Sequence, residues 1–110
     1  MNLPNIKQAL ELKKKLDQAQ KELAKIVVEA DAGRGAVKVS MNGQQKVLSV
    51  KIAPEELSKI TVATGIDPAK LQRLEEMVEK AVNEAVEKSQ KEAAKQLYSL
   101  TGGLKIPGLM

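Results

Sequence analysis

Lysine is the side chain with the most to offer chemically in this sequence, and its spacing is one-sided. At about 100° per residue on a helix, Lys7, Lys14 and Lys21 fall on one stripe, Lys13 and Lys15 flank it, and Lys25 lies one turn further on. Ala9, Leu16 and Leu23 occupy the opposite side. A row of ammonium groups acts as a set of point charges for phosphates or other anions. Residues 1–28 hold six Lys against Glu11, Asp17 and Glu22, a net +3, whereas residues 61–110 balance seven basic with seven acidic side chains. The whole chain carries +4, so the excess is concentrated near the N-terminus. The row also has a plainer reading. Glu11 with Lys15 and Asp17 with Lys21 are i,i+4 pairs that support a solvated helix without any partner.

A second set, Lys88, Lys91 and Lys95, shares a helical face. Glu84 with Lys88 and Glu87 with Lys91 are spaced for pairing, as is Glu76 with Lys80. Lys95 has Lys91 four positions before it, which predicts that this end of the segment is the part most open to an anion. Arg34, between Gly33 and Gly35, is placed where a guanidinium enters a groove, and equally where an exposed hairpin residue sits. With one aromatic residue, Tyr98, and lysine as the main cation, any nucleic acid would be read through phosphate and shape. That predicts weak sequence preference and strong salt dependence.

Much other chemistry is excluded. The sequence has no His and no Cys, hence no imidazole base, thiolate, disulfide or Cys/His zinc site. Gly33-Arg34-Gly35 fails as the start of a dinucleotide fingerprint, because Lys38 stands where the last glycine belongs. No P-loop pattern occurs, and none of Ser40, Ser49, Ser58, Ser89 or Ser99 has Lys three residues later. The carboxylates lie beside lysines, with nothing to raise a pKa for acid/base work. The expectation is a protein with no catalytic residue, cofactor, metal or small-molecule substrate. The run Ile26-Val27-Val28 is too short for a membrane span, and the basic helix lacks the Trp or Phe that anchors an interfacial one. The chain reads as cytoplasmic.

The elements that position these residues follow from periodicity. Ala9, Leu12, Leu16, Ala19, Leu23 and Ile26 step by threes and fours, which predicts a heptad-seamed helix over about 3–25, with Asn2 as cap and Pro4 in the first turn. Two-fold alternation then predicts strands at about 26–31, 36–42 and 46–53, turned at Gly33-Arg34-Gly35 and at Asn42-Gly43. They form an antiparallel meander whose apolar face the helices must cover. Pro54-Glu55-Glu56-Leu57 predicts one helical turn and residues 58–66 a loop. Asp67 and Pro68 open a second long helix over about 67–98, with Val78 and Val82 among its apolar positions. Gly102, Gly103, Pro107 and Gly108 make 101–110 a non-helical tail. The result is one α+β domain over 1–110. A core without Phe or Trp is thin, which favours burial against a second copy; Leu12, Leu16, Leu23, Val78 and Val82 form a seam for the core or for a dimer, and the sheet is an equally apolar surface for the interface.

Four strings carry a resemblance. They are Gly35-Ala36-Val37-Lys38-Val39-Ser40-Met41-Asn42-Gly43, Val50-Lys51-Ile52-Ala53-Pro54-Glu55-Glu56-Leu57, Val82-Asn83-Glu84-Ala85, and Leu100-Thr101-Gly102-Gly103-Leu104-Lys105-Ile106-Pro107-Gly108-Leu109. Together with the element order they make the chain similar to the YbaB/EbfC family of bacterial nucleoid-associated proteins over nearly its whole length. The resemblance implies a tweezer-shaped homodimer that binds double-stranded DNA and affects its packing. It favours Lys7, Lys13, Lys14, Lys15, Lys21 and Lys25 as DNA contacts, with Arg34, Lys88, Lys91 and Lys95 after them. Two departures stand out: 58–66 is longer than the usual link, and Ala53 stands where the family commonly has Asp. The competing expectation is a helical module that recruits a protein partner through its seam.

Overall fold

The computed structural model describes residues 3–100. In chain order these form α1 (Leu3–Lys25), β1 (Val27–Ala32), β2 (Val37–Asn42), β3 (Val47–Ile52), α2 (Pro54–Ile60), β4 (Thr61–Val62), β5 (Gly65–Ile66) and α3 (Pro68–Leu100). The proposed cap Asn2 and the tail 101–110 lie outside the described residues. The architecture is the expected α+β arrangement, with boundaries shifted by a residue or two. Ile26 is one such shift: its N–H donates to the Leu23 carbonyl at 3.2 Å, so it closes α1 instead of opening β1.

β1, β2 and β3 make an antiparallel meander in that order. Direct pairing of Ala32 with Val37 and of Ala30 with Val39 puts these residues on one face. Val28, Ala30, Ala32, Val37, Val39 and Met41 are all buried there. α3 lies across this face, bringing in Leu74, Ala81 and Ala85, with Met77, Val78, Val82 and Val86 half-buried around them. The small residues Ala81 and Ala85 let the helix axis come close to the strands.

The expectation that the helices cover the sheet fails at β3. Val39 pairs with Val50 and Val37 with Ile52, so the β3 side chains share the apolar face. Yet Val47, Leu48, Val50 and Ile52 stay 41–50% exposed. One helix about 10 Å across spans two strands spaced about 4.8 Å apart, not three. A register shift opposite Ser40/Met41 bulges β3 as well, placing Val47 and Leu48 together against Met41.

The second correction concerns 58–66. Residues 58–60 complete α2, and Thr61 with Ile66 and Val62 with Gly65 pair as a two-rung hairpin. Ile60 is buried, and its carbonyl accepts the Asp67 N–H at 2.8 Å, so the segment is pinned at both ends. Strands of two residues leave no alternation to detect. Asp67 caps α3 as expected, its Oδ1 accepting the Ala69 N–H at 3.0 Å. α2 starts on Ala53 with no side-chain cap hydrogen bond.

Where α3 leaves the sheet it meets α1. Ala19, Leu23 and Leu97 are buried together, with Ile26 and Ala93 beside them. The β2–β3 turn locks this junction. The Gly43 N–H donates to the Leu23 carbonyl at 2.9 Å, and a Cβ at position 43 would stand 2.7 Å from that oxygen, which explains the glycine. The Asn42 side chain closes the turn, its Oδ1 accepting the N–H groups of Gln44 at 2.9 Å and Lys46 at 3.0 Å. Ser89 Oγ donates to the Asn42 carbonyl at 2.7 Å, tying α3 to the same turn. Toward the N-terminus the seam opens: Leu16 is half-buried and Leu12 is 43% exposed. With Ala19 packed near Leu97, about 15 residues of α1 run past the end of α3, a projection of roughly 22 Å. The extents of 74 × 22 × 18 Å reflect that arm.

Candidate nucleic-acid interface

The lysines of α1 are the largest set of free cations. Lys7, Lys13, Lys14, Lys15 and Lys21 are exposed, and among the described residues none of them makes an ion pair. The pairings of Lys15 with Glu11 and Lys21 with Asp17 that the sequence suggests do not form. Only Lys25 is engaged on this helix, 3.4 Å from Glu22. Because Leu23 and Ala19 turn toward α3, the stripe of Lys7, Lys14 and Lys21 faces away from the body of the molecule. Lys7 and Lys14 stand on the part of α1 that runs past the end of α3, and Lys21 stands beside the junction.

On α3 the expected order of availability is reversed. Lys95 sits 3.6 Å from Glu92 through an i,i+3 contact, which the i,i+4 spacing argument overlooked. Lys91, expected to pair with Glu87, makes no ion pair among the described residues. Lys88 is a strut: its Nζ donates to the Glu29 carbonyl at 2.8 Å and lies 3.9 Å from Glu84, so it fastens α3 to β1.

The packing of α1 against α3 places Lys91 and Lys95 at the same end of the molecule as the α1 lysines. Arg34 is not brought there. It occupies the β1–β2 turn, at the other end of β1 from α1, where Gly33, Arg34 and Gly35 all have positive φ, 56° at Arg34. A left-handed backbone at a residue with a Cβ costs about 1 kcal/mol. Around it Glu29, Asp31 and Lys38 line a shallow concavity, so its charge is set among carboxylates.

Sequence reasoning missed the cleft between α1, the β2–β3 turn and α3. It is open, about 730 Å³, and lined by residues that include Gln20, Gln44, Gln45, Gln90 and Lys91 over a floor of Leu23, Ala93 and Leu97. Gln44 Nε2 donates to the Gln20 carbonyl at 2.9 Å. Its glutamines come from three separate elements, so no local pattern signals them. Among the described residues no three carboxylates converge into a group able to hold a metal ion, and no helix is long and apolar enough to cross a membrane.

A small antiparallel sheet backed by one long helix, with a second, lysine-rich helix running past its end, defines an α+β protein. The chain belongs to the YbaB/EbfC DNA-binding family, whose profile matches residues 1–104. A nucleoid-associated protein of Pelotomaculum thermopropionicum is 39% identical over 104 residues, covering 94% of this chain and 90% of the relative. One from an Anaeromyxobacter species is also 39% identical, covering 94% and 92%. The crystal structure of an uncharacterized Helicobacter pylori protein superposes with a TM-score of 0.70 at 16% identity, covering 93% of this chain and 99% of that one. At that identity the likeness concerns the fold. The family is defined by DNA binding and not by a reaction.

Proposed function

We propose that residues 1–110 act as a single domain that binds double-stranded DNA with little sequence preference and alters its conformation or packing. Changes in gene expression would follow from that packing. The observation that carries this reading is the row of exposed, unpaired lysines on α1, Lys7, Lys13, Lys14 and Lys15 on its projecting part and Lys21 beside the junction with α3. These five ammonium groups without carboxylate partners are free to displace the counterions of a phosphate backbone. Lysine makes no bidentate match to a base edge, so contacts of this kind position a duplex without reading it. The names of the relatives support a nucleoid location in the cytoplasm, and no catalytic or cofactor role is assigned to any residue.

The working unit is proposed to be a homodimer. β3 is an edge strand with free backbone donors and acceptors, and its Leu48, Val50 and Ile52 are half-exposed beside a core that α3 leaves uncovered. A second copy laid on this half-face would complete the core and double the lysine arms.

The test is anisotropy of a labelled duplex titrated with the protein at several salt concentrations, against an unrelated duplex of equal length. Both duplexes should bind alike, with affinity falling about a thousandfold or more between ~50 and ~200 mM salt if six or more phosphates are contacted. Failure to bind at low salt would overturn the reading, and strong preference for one duplex would overturn its lack of sequence specificity.

A further inference from the structure

Tyr98 is the only aromatic residue of the chain, and it is not in the core. It is 69% exposed, the most exposed of the large apolar side chains among the described residues. Its neighbour Leu97 is buried against Ala19 and Leu23. The ring makes no hydrogen bond or ring contact with any described residue. A side chain of this size, kept for packing, would be the first choice to fill a core otherwise built from Ala and Val.

Its position on α3 matters as much as its exposure. At about 100° per residue, Lys91, Lys95 and Tyr98 fall within one stripe about 60° wide, centred about 130° round from Leu97, with Lys91 at the rim of the cleft between α1 and α3. The three Cα positions span about 10 Å along the helix axis, close to three nucleotide steps at about 3.4 Å each. Lys91 is free and Lys95 bears a single exposed partner, Glu92. An aromatic ring on a lysine track is the arrangement that holds a backbone by charge and reaches past it with a flat apolar surface.

Resting on the DNA-binding reading, we propose that Tyr98 packs its ring against a base or sugar between phosphates held by Lys91 and Lys95. It thereby supplies the contact of α3 with duplex DNA that is not electrostatic. The phosphates attract whatever the sequence, and the ring adds contact area that does not depend on salt.

The protein itself provides the readout, because all of its intrinsic aromatic fluorescence comes from Tyr98. The full chain is titrated with a labelled duplex while duplex anisotropy and Tyr98 emission are followed together, in the wild type and in Tyr98→Ala, Tyr98→Phe and Lys91→Gln. Circular dichroism and sedimentation confirm that each variant keeps its helicity and mass. Binding should change Tyr98 emission and shield it from acrylamide. Tyr98→Ala should weaken binding about five- to hundredfold with the salt slope unchanged, and Tyr98→Phe should stay within about twofold of wild type. Lys91→Gln should instead lower the salt slope by about one. Binding by anisotropy with Tyr98 emission unaltered, or with Tyr98→Ala as tight as wild type, would overturn the assignment of Tyr98 and leave the DNA-binding reading standing. A Tyr98→Phe variant as weak as Tyr98→Ala would overturn the ring contact in favour of the hydroxyl. No anisotropy change at any salt would overturn both proposals together.

Discussion

At the scale of single residues, exposure and pairing separate lysines that look alike in sequence. Lys88 is spent on the Glu29 carbonyl and Lys25 on Glu22, whereas Lys13, Lys14 and Lys15 touch nothing that would compete with a phosphate. Converting those three to Glu should abolish duplex binding at physiological salt. Helicity and thermal midpoint should stay within the small range usual for surface substitutions, because no ion pair or buried contact is lost. Anisotropy and circular dichroism on the same sample check this, and retained binding would remove α1 from the interface. The lysine stripe itself was legible from spacing, since the angular position of a residue on a helix depends only on residue number. Which lysines are free was not. Side chains choose among i,i+3, i,i+4 and tertiary partners, as Lys95 with Glu92 and Lys88 with β1 demonstrate.

At the scale of elements, the helices and main strands obey local rules, and one junction departs from them. Pro54 starts α2 directly after β3, but Ala53 gives that helix no side-chain cap. Its φ of −61° and ψ of 133° already suit a capping residue. Ala53→Asp should therefore stabilise the fold by about 0.5–2 kcal/mol, read as a higher urea midpoint at unchanged slope. A lower midpoint would mean that the carboxylate meets unfavourable surroundings at the end of β3. The β4–β5 hairpin was illegible for a related reason. Two paired residues per strand carry no periodic signal, and what holds the segment is the burial of Ile60 and the Asp67 N–H bond to its carbonyl, both set by the position of α3.

At the scale of the whole molecule, the question is what the uncovered half of the sheet is for. A stable partner interface buries about 800 Å² per side, and the homodimer proposed above would bury the β3 half-face with its open edge. Val50→Asp should convert a dimer to a monomer by sedimentation while the chain stays folded, because Val50 is already 44% exposed within one chain. Duplex affinity should fall with it, since each particle then carries half the lysine arms. A Val50→Asp variant that sediments as a dimer would move the interface to another surface, of which the exposed N-terminal seam of α1 around Leu12 is the first to test.

The sequence by itself determined the element order, the meander, the cap at Asp67 with Pro68 opening α3, the lysine stripe and the absence of imidazole and thiol chemistry. Each of these rests on composition or on periodicity between residues a few positions apart. Only the tertiary structure decided which apolar positions are covered, which lysines are free, that Arg34 sits far from the α1 lysines, and that Tyr98 is left exposed beside Lys91 and Lys95. Those depend on where one helix about two strands wide comes to rest on a three-stranded sheet, and on how far α1 runs past the end of α3. Both are relations between segments distant in the chain, which no local pattern encodes.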